Sequence, residues 1–166
     1  MRLKFIIFFL FTSFSFFAQS QKNIINSDFD KMLQSLLTHS VTEVTPDECT
    51  SSEIIFLDAR EQEEYEVSHI PDSKWIGFDT FKLKNVNAIP KDSKIVVYCT
   101  VGYRSEKISE KLQKAGFTDV SNLYGGIFEW MHTGNKVMDH SITKNVHTYN
   151  KEWSQWLNDG TGNKIY

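Results

Sequence analysis

Residues 94–105 have the sequence Lys94-Ile95-Val96-Val97-Tyr98-Cys99-Thr100-Val101-Gly102-Tyr103-Arg104-Ser105. Ile95–Tyr98 is a run of four apolar or aromatic residues, which is typical of a strand buried on both faces in a parallel sheet that helices cover. After a short loop, residues 104–115 carry an apolar face of helical spacing that ends at Gly116. Cys99 is therefore expected between a strand end and a helix start, in the crevice where open α/β sheets bind ligands.

The position of Cys99 predicts a site for an anion. A loop that turns into a helix N-terminus directs backbone N–H groups and the positive end of the helix dipole toward one point. The candidate anion is the Cys99 thiolate, which is the nucleophilic form of cysteine. Gly102 lets the backbone curl without a Cβ atom in the way. Arg104 is expected to hold an oxyanion substrate through two parallel N–H bonds.

Four more short apolar runs predict strands near residues 41–44, 54–58, 75–77 and 120–124. Between them lie predicted helical segments: an amphipathic helix at 28–37, a capped helix start at 45–48, an acidic helix at 61–66 and a helix that begins at 125–126. This alternation predicts an α/β fold with a five-stranded parallel sheet and helices on both faces.

Four segments resemble the motifs of a known family. The loop from Cys99 to Arg104 resembles the Cys-x-x-Gly-x-Arg active-site loop of single-domain rhodanese-like sulfurtransferases. Leu57-Asp58-Ala59-Arg60-Glu61 and Tyr65-Glu66-Val67-Ser68-His69-Ile70-Pro71 resemble its Asp-x-Arg and Gly-His-Ile-Pro segments. Leu123-Tyr124-Gly125-Gly126-Ile127-Phe128-Glu129-Trp130 resembles its Leu-x-Gly-Gly-x-x-x-Trp segment. The four motifs occur in the family's order across residues 41–137.

The resemblance implies an enzyme that moves a sulfane sulfur from a thiosulfate-like donor to a thiol or cyanide acceptor through a persulfide on Cys99, without a cofactor. It implies that Cys99 is the catalytic residue and that the following residues of the loop bind the substrate: Thr100, Val101, Gly102, Tyr103, Arg104 and Ser105. The chain departs from the family at Ser68, where glycine is usual, and at Asp72-Ser73, where Gly-Ala is common. Both departures lie away from the proposed nucleophile.

Two other functions remain open. Related folds carry out phosphatase or arsenate reductase chemistry with a Cys-x5-Arg loop, but Cys99 and Arg104 enclose only four residues. The shorter ring suits a sulfur anion better than a tetrahedral phosphate. A non-catalytic binding or redox-sensing module is the other alternative, and the intact Cys99 and Arg104 argue against it.

Several further side chains have both a structural and a catalytic interpretation. Asp58 and Arg60 are candidates for a catalytic carboxylate and a substrate clamp, but the resemblance favours a structural pair. His69 is also interpreted as structural, because a thiolate that attacks a sulfane sulfur needs no general base.

Neither the second cysteine nor the histidines predict an additional site. Cys49 would be able to form a disulfide with Cys99 in an oxidising compartment, although a buried free thiol is the favoured interpretation. His132, His140 and His147 lack metal-ligand spacing with cysteine or carboxylate partners, so no metal is predicted.

Length and charge restrict the class of protein. The 166 residues, 40% of them hydrophobic, suit one globular domain. The formal net charge is −3 and no run of basic residues occurs, which argues against a nucleic-acid partner.

The N-terminus predicts export. Met1–Lys4 carries two basic residues, Phe5–Phe17 is uncharged, and Ala18-Gln19-Ser20 supplies small residues for cleavage. Residues 1–20 are therefore predicted to be a signal peptide, so that a periplasmic or secreted chain begins at Gln21. The thirteen uncharged residues fall short of the ~20 that span a bilayer as a helix, and no stable membrane insertion is expected after processing.

The predicted domain has an addition at each end. Residues 21–40 contain the amphipathic helix, which is expected to pack on its own domain rather than on a partner. Residues 138–166 form a C-terminal extension in which 146–149 is a candidate extended segment. Trp153, Trp156 and Leu157 lie at helical spacing there. They are expected to pack the extension onto the domain, with a docking patch as the alternative.

Overall fold

The computed structural model describes Ile24 and residues 26–166. The predicted signal peptide and the predicted new N-terminus at Gln21 lie outside the described residues. Within the part of the chain that the structure describes, no helix has the length and apolar character needed to cross a membrane.

A five-stranded parallel sheet forms the centre of the fold. Its strands are β1 (Thr42–Val44), β2 (Ile55–Asp58), β3 (Lys74–Trp75), β4 (Lys94–Tyr98) and β5 (Asp119–Leu123). They lie in the order β1-β5-β4-β2-β3, so β4 is central, and Val97 of β4 lies opposite Leu57 and Asn122. The predicted sheet is confirmed, with strand bounds that differ from the predicted ones by one or two residues.

Helices cover both faces of the sheet, as predicted. They are α1 (Ser27–Leu36), α2 (Gln62–Val67), α3 (Tyr103–Lys114) and α4 (Gly126–His132), with short 3-10 helices at Pro46–Glu48, Leu83–Val86 and Trp153–Trp156. Because side chains of β4 alternate, Val96 and Tyr98 pack in a cluster with residues of α1 and α4. Ile95 and Val97 pack on the opposite face with residues of α3.

Helix α1 begins one residue before the predicted start. The side chain of Asn26 accepts hydrogen bonds from the backbone N–H groups of Asp28 and Phe29 at 3.0 and 3.1 Å. Such a cap satisfies donors that the helix itself leaves unpaired. Phe29 and Leu33 are buried against the sheet, so α1 is part of the core of this domain.

The C-terminal residues form four short strands: β6 (Val137–Met138), β7 (Ile142–Thr143), β8 (Asn145–His147) and β9 (Asn163–Ile165). Strands β6 and β7 pair as an antiparallel hairpin, and β8 and β9 pair in parallel. Met138 exchanges backbone hydrogen bonds with His69 at 2.8 and 2.9 Å, which ties the start of this region to the domain.

Aromatic and aliphatic side chains of the C-terminal extension contact the rest of the protein. Val146 and Leu157 are fully buried in the cluster that contains Phe29. The ring of Trp156 stacks on Phe29 with centroids 6.0 Å apart. Trp153 packs against the same cluster and also lines the cavity described below. Both tryptophans therefore contact the core, and Trp153 also faces the cavity.

The burial of Leu157 predicts its contribution to stability. Leu157→Ala should lower the free energy of unfolding by about 2–5 kcal/mol, because it removes buried methyl groups and leaves a cavity. Ile142→Ala is the matched control in the same region, where the side chain is 57% exposed, and it should change stability by less than about 0.5 kcal/mol. Denaturant unfolding measures both. Equal small effects would contradict the packing of the extension on the domain.

Candidate active site

Cys99 follows β4 directly and lies at the carboxyl edge of the sheet. Its side chain is buried, and the backbone N–H of Gly102 donates a hydrogen bond to Sγ at 3.2 Å. Gly102 has a φ of +115°, a conformation that favours glycine and lets the loop turn tightly enough for this contact. The sequence predicted several N–H groups around this point, and the structure shows the one of Gly102 in contact with Sγ.

Asn122 of β5 holds the loop from one side. Its Nδ2 donates to the carbonyl of Gly102 at 3.1 Å, and its Oδ1 accepts from the Ser105 hydroxyl at 2.6 Å. The Ser105 hydroxyl also lies 3.5 Å from Cys99 Sγ. Asn122 therefore fixes both groups that contact the sulfur. Sequence reasoning missed this residue, although an amide within the apolar run of β5 is a detectable signal.

The N-terminus of α4 holds the loop from the other side. The N–H of Ile127 donates to the carbonyl of Cys99 at 2.9 Å, and the N–H of Phe128 donates to the carbonyl of Thr100 at 3.3 Å. A Cβ atom at Gly126 would lie 2.7 Å from the Thr100 carbonyl carbon, so a larger residue would separate the two segments. Gly126 thus lets the start of α4 approach the loop that follows Cys99.

Arg104 is paired with a carboxylate rather than left open for a substrate. Its Nη1 and Nη2 donate to the two oxygens of Glu64 at 2.6 and 2.8 Å, and Nη2 also donates to Thr100 Oγ1 at 2.9 Å. Thr100 in turn donates to Glu64 at 3.0 Å. The expected two-bond grip of Arg104 on an oxyanion is therefore taken by Glu64. Sequence reasoning missed Glu64, which lay in the acidic run assigned to α2.

Glu64 and Arg104 each stabilise the charged form of the other. Burial alone would raise the pKa of Glu64, but the hydrogen bonds and charge of Arg104, together with the charge of Arg60, hold that pKa below its ordinary value. Burial tends to lower the pKa of Arg104, and the bond to Glu64 more than offsets it, so the net shift is upward. Both groups are thus charged at neutral pH, and their charges cancel.

Asp58 and Arg60 form a second, fully buried ion pair. Arg60 Nη2 donates to Asp58 Oδ2 and to the carbonyl of Ser68, each at 2.6 Å, and Nε donates to Asp58 Oδ1 at 3.0 Å. The pair joins the end of β2 to the loop after α2, in accordance with its structural interpretation. His69 stacks on Tyr65 with ring centroids 4.0 Å apart, which fits the structural role expected for it.

A cavity of about 430 Å³ opens beside the loop. Its lining residues are Leu36, Glu61, Phe78, Asp79, Cys99, Thr100, Val101, Tyr103, Arg104, Tyr149 and Trp153. Five residues of the predicted site thus line the cavity, whereas Gly102 and Ser105 contact the sulfur from within the protein. Leu36, Glu61, Phe78, Asp79, Tyr149 and Trp153 were not predicted as site residues.

The two cysteines have different surroundings. Both are free thiols, as favoured for Cys49, but Cys49 is half-buried rather than buried as expected. Burial, assisted by the charge of Glu48 and opposed by that of Lys94, raises the pKa of Cys49 to about 11. Cys49 is therefore a poor nucleophile at neutral pH. Its Sγ lies 3.4 Å from the carbonyl of Thr45, and Cys99 alone of the two lines the cavity.

The described residues contain no cluster of three or more His, Cys, Asp or Glu side chains that would hold a metal ion.

A comparison with protein families supports the fold and the loop. The family model described as "Rhodanese-like domain" matches residues 45–133, which is more than half of the chain. The chain belongs to the rhodanese-like domain family. The family resemblance of the four sequence motifs is thereby confirmed, while α1 and the whole C-terminal extension lie outside the matched residues.

Curated relatives match only in part. A tRNA uridine(34) hydroxylase from Hamiltonella defensa is 36% identical over 108 residues, which cover 62% of this chain and 29% of that protein. One from Buchnera aphidicola is 42% identical over 88 residues, which cover 50% of this chain and 28% of that protein. The chain therefore spans less than a third of the length of these relatives.

Solved structures share the fold at low sequence identity. The BH2092 protein from Bacillus halodurans has a TM-score of 0.56 at 22% identity, covering 69% of this chain and 86% of that one. A thiosulfate sulfurtransferase from Pseudomonas aeruginosa has a TM-score of 0.55 at 21% identity, covering 66% of this chain and 22% of that one. Both similarities concern the fold alone.

The lowered pKa of Glu64 predicts how stability depends on pH. A carboxylate whose pKa is depressed in the folded state stabilises the protein above its ordinary pKa, and this contribution is lost as the pH falls through the lower folded-state value. Glu64→Gln should reduce the free energy of unfolding at pH 7 by about 2–3 kcal/mol, because Arg104 keeps its charge without its partner. The difference from the unmodified protein should shrink below the ordinary glutamate pKa of 4.5.

The neighbouring Glu63 provides a control for this experiment, since it is exposed on the same helix. Glu63→Gln should leave the unfolding free energy nearly unchanged at each pH. A Glu64→Gln effect that stayed constant from pH 7 to pH 3 would contradict an ionised, paired Glu64.

Proposed function

We propose that this chain is a sulfurtransferase that carries a sulfane sulfur as a persulfide on Cys99. The observation that carries the proposal is the position of Cys99, which lines the cavity and whose Sγ accepts a hydrogen bond from the Gly102 N–H at 3.2 Å. Hydrogen bonds of this kind stabilise negative charge on sulfur, whether on the thiolate or on a persulfide nearby. The same thiol is thereby suited to attack a donor and to hold the product.

The reaction proceeds in two displacements. The Cys99 thiolate attacks the outer sulfur of a donor such as thiosulfate, a bond forms between Sγ and that sulfur, and the sulfur–sulfur bond of the donor breaks. The leaving group, sulfite in this case, takes the bonding electron pair. A thiol or cyanide acceptor then attacks the outer sulfur of the persulfide, and the Cys99 thiolate leaves. No external oxidant or cofactor is required.

The names of the curated relatives point to a different substrate. Those proteins are named for the hydroxylation of a tRNA uridine, and this chain matches 29% or less of the two described above. The acid excess of the chain, with a formal net charge of −3, supports a small-molecule partner rather than RNA. Glu61 and Asp79 at the cavity add acidic groups where an RNA backbone would approach.

Phosphatase or arsenate reductase activity is disfavoured by the loop. Phosphoryl transfer needs cations that neutralise the phosphate oxygens, and the guanidinium of Arg104 already pairs with Glu64. A non-catalytic module is disfavoured because Cys99 lines the cavity and its Sγ accepts a hydrogen bond from Gly102.

Export is part of the proposal. Its support is the sequence of residues 1–20 alone, where a basic start, an uncharged run and small residues follow one another.

The proposal predicts where the sulfur is carried. Incubation of the reduced protein with a sulfane donor should add about 32 Da, one sulfur atom, to the peptide that contains Cys99, since Cys99 is the cysteine that lines the cavity. Peptide mass spectrometry measures the addition. Cys99→Ser should abolish it, and Cys49→Ser should leave it unchanged.

The same preparation should transfer sulfur to cyanide and leave aryl phosphates intact. Addition at Cys49, or hydrolysis of aryl phosphates without sulfur loading, would contradict the proposed function.

A further inference from the structure

We propose that the cavity selects a sulfur donor with an apolar body and low negative charge over the thiosulfate dianion, and that Tyr149 and Trp153 of the C-terminal extension determine the preference for the apolar body. The inference rests on the proposed function, because it names the class of substrate that the same site takes. Two separate observations support the inference: the charge balance of the cavity and its apolar and aromatic walls.

The cavity has more negative than positive side chains. Its lining includes the acidic residues Glu61 and Asp79, and among the described residues that line it Arg104 is the one cation. That cation is cancelled by Glu64, which binds it through both oxygens. A dianion that enters this space meets two carboxylates without a free positive charge, which disfavours it relative to a monoanion or a neutral donor.

Neighbouring basic groups do not reverse this balance. Arg60 is fully buried and bonded to Asp58. The Nζ of Lys111 lies 5.6 Å from the ring centroid of Phe78. Lys111 itself is not among the residues that line the cavity. Burial lowers the pKa of His147, so this side chain is neutral at pH 7.

The remaining walls of the cavity are mostly apolar or aromatic. They include Leu36 from α1 and the rings of Phe78 and Tyr103 from within the family domain. Tyr149 and Trp153 complete the wall from the C-terminal extension. The apolar body of a donor would leave water and pack against these walls, which is favourable. Thiosulfate has no apolar surface to bury in this way.

Tyr149 is held in place by specific contacts. Its ring lies over the guanidinium of Arg104, with Cζ 5.2 Å from the ring centroid. Its backbone N–H donates to His147 Nδ1 at 3.1 Å, and its φ of +66° is uncommon for an aromatic residue. Pairing of Thr148 with Ile165 at 2.8 Å supports this conformation. A left-handed backbone at a residue that lines the cavity favours a functional role for the side chain.

The family model ends at residue 133, so these two aromatic residues are additions to the family domain. The preference for an apolar donor body is therefore expected to depend on residues outside the matched region, whereas the acidic residues Glu61 and Asp79 lie within it.

A comparison of three sulfane donors separates the effect of the donor's charge from the effect of its apolar contacts with the cavity. Thiosulfate is a dianion, methanethiosulfonate is a monoanion with a small body, and benzenethiosulfonate is a monoanion with an aromatic body. With each, the Cys99 thiolate bonds to the sulfane sulfur, the sulfur–sulfur bond breaks, and sulfite or the corresponding sulfinate leaves with the electron pair. Cyanide then removes the sulfur as thiocyanate, and kcat/KM for each donor is measured on the full chain.

The three donors differ in intrinsic reactivity. The test therefore compares the ratio of kcat/KM for two donors between the unmodified protein and each variant, because the intrinsic reactivity cancels in that comparison. Asp79→Asn should raise the thiosulfate to methanethiosulfonate ratio by about 2–5-fold, because one repulsive charge is removed from a partly screened site. Tyr149→Ala and Trp153→Ala should each lower the benzenethiosulfonate to methanethiosulfonate ratio by about 5–20-fold, because apolar contact with the donor is lost.

Matched controls lie elsewhere in the structure. Asp119→Asn removes an exposed carboxylate at the first residue of β5, at the opposite edge of the sheet from Cys99, and Tyr166→Ala removes an aromatic ring of the extension that is 62% exposed. Both should leave the ratios unchanged. Tyr149→Phe retains the ring and should retain the preference for the aromatic donor.

Two outcomes would separate failure of the proposed function from failure of this inference. Absence of sulfur loading on Cys99 with all three donors would overturn the proposed function. Loading that occurs with donor ratios unaffected by Asp79→Asn, Tyr149→Ala and Trp153→Ala would overturn the inference and leave the sulfurtransferase intact.

Discussion

The ion pair between Glu64 and Arg104 determines both the shape and the charge of the site. It joins α2 to the first turn of α3 across 40 residues of sequence, and Thr100 bonds to both partners. The side chains are 3% and 14% exposed, so their separation would leave a charge in a poorly hydrated place. The loop is consequently fixed at the arginine, and the positive charge that the loop sequence suggests for substrate binding is already neutralised.

The sulfur itself depends on a different set of contacts. Asn122 from β5 positions Gly102 and Ser105, and the first N–H groups of α4 bind the carbonyls of Cys99 and Thr100. These donors belong to rigid elements of the sheet and its helix, so the loop is held before any substrate arrives. Preorganised donors stabilise charge on sulfur without the cost of reorientation during the reaction.

Local patterns were sufficient to predict the fold and the position of Cys99 at the end of the central strand. The apolar run before Cys99 predicted a central buried strand, because only a strand covered on both faces suits four consecutive apolar residues. The glycine after it predicted the tight turn that the φ of Gly102 shows. In both cases the residues that determine the structure are neighbours in sequence.

The partners of the site were harder to predict, because they are distant in sequence. Glu64 lay in an acidic helix start, where favourable interaction with the helix dipole was a sufficient explanation. Tyr149 lay in a segment predicted only to be extended, and nothing in its neighbours indicated that it would lie over Arg104. The two-bond substrate clamp was therefore expected at Arg104, since the competing carboxylate becomes apparent only in the folded chain.

The neutralisation of Arg104 is tested most directly by the salt dependence of thiosulfate turnover. The value of kcat/KM for thiosulfate is measured at constant pH while the ionic strength is raised from about 0.01 to 0.5 M, a range over which the screening length falls from about 30 Å to a few ångströms. A cavity with uncompensated carboxylates predicts that kcat/KM rises with salt, because the repulsion of the dianion is screened. A steep fall would show that the dianion is attracted by a free cation, and would contradict the pairing of Arg104 with Glu64 as the determinant of the charge of the site.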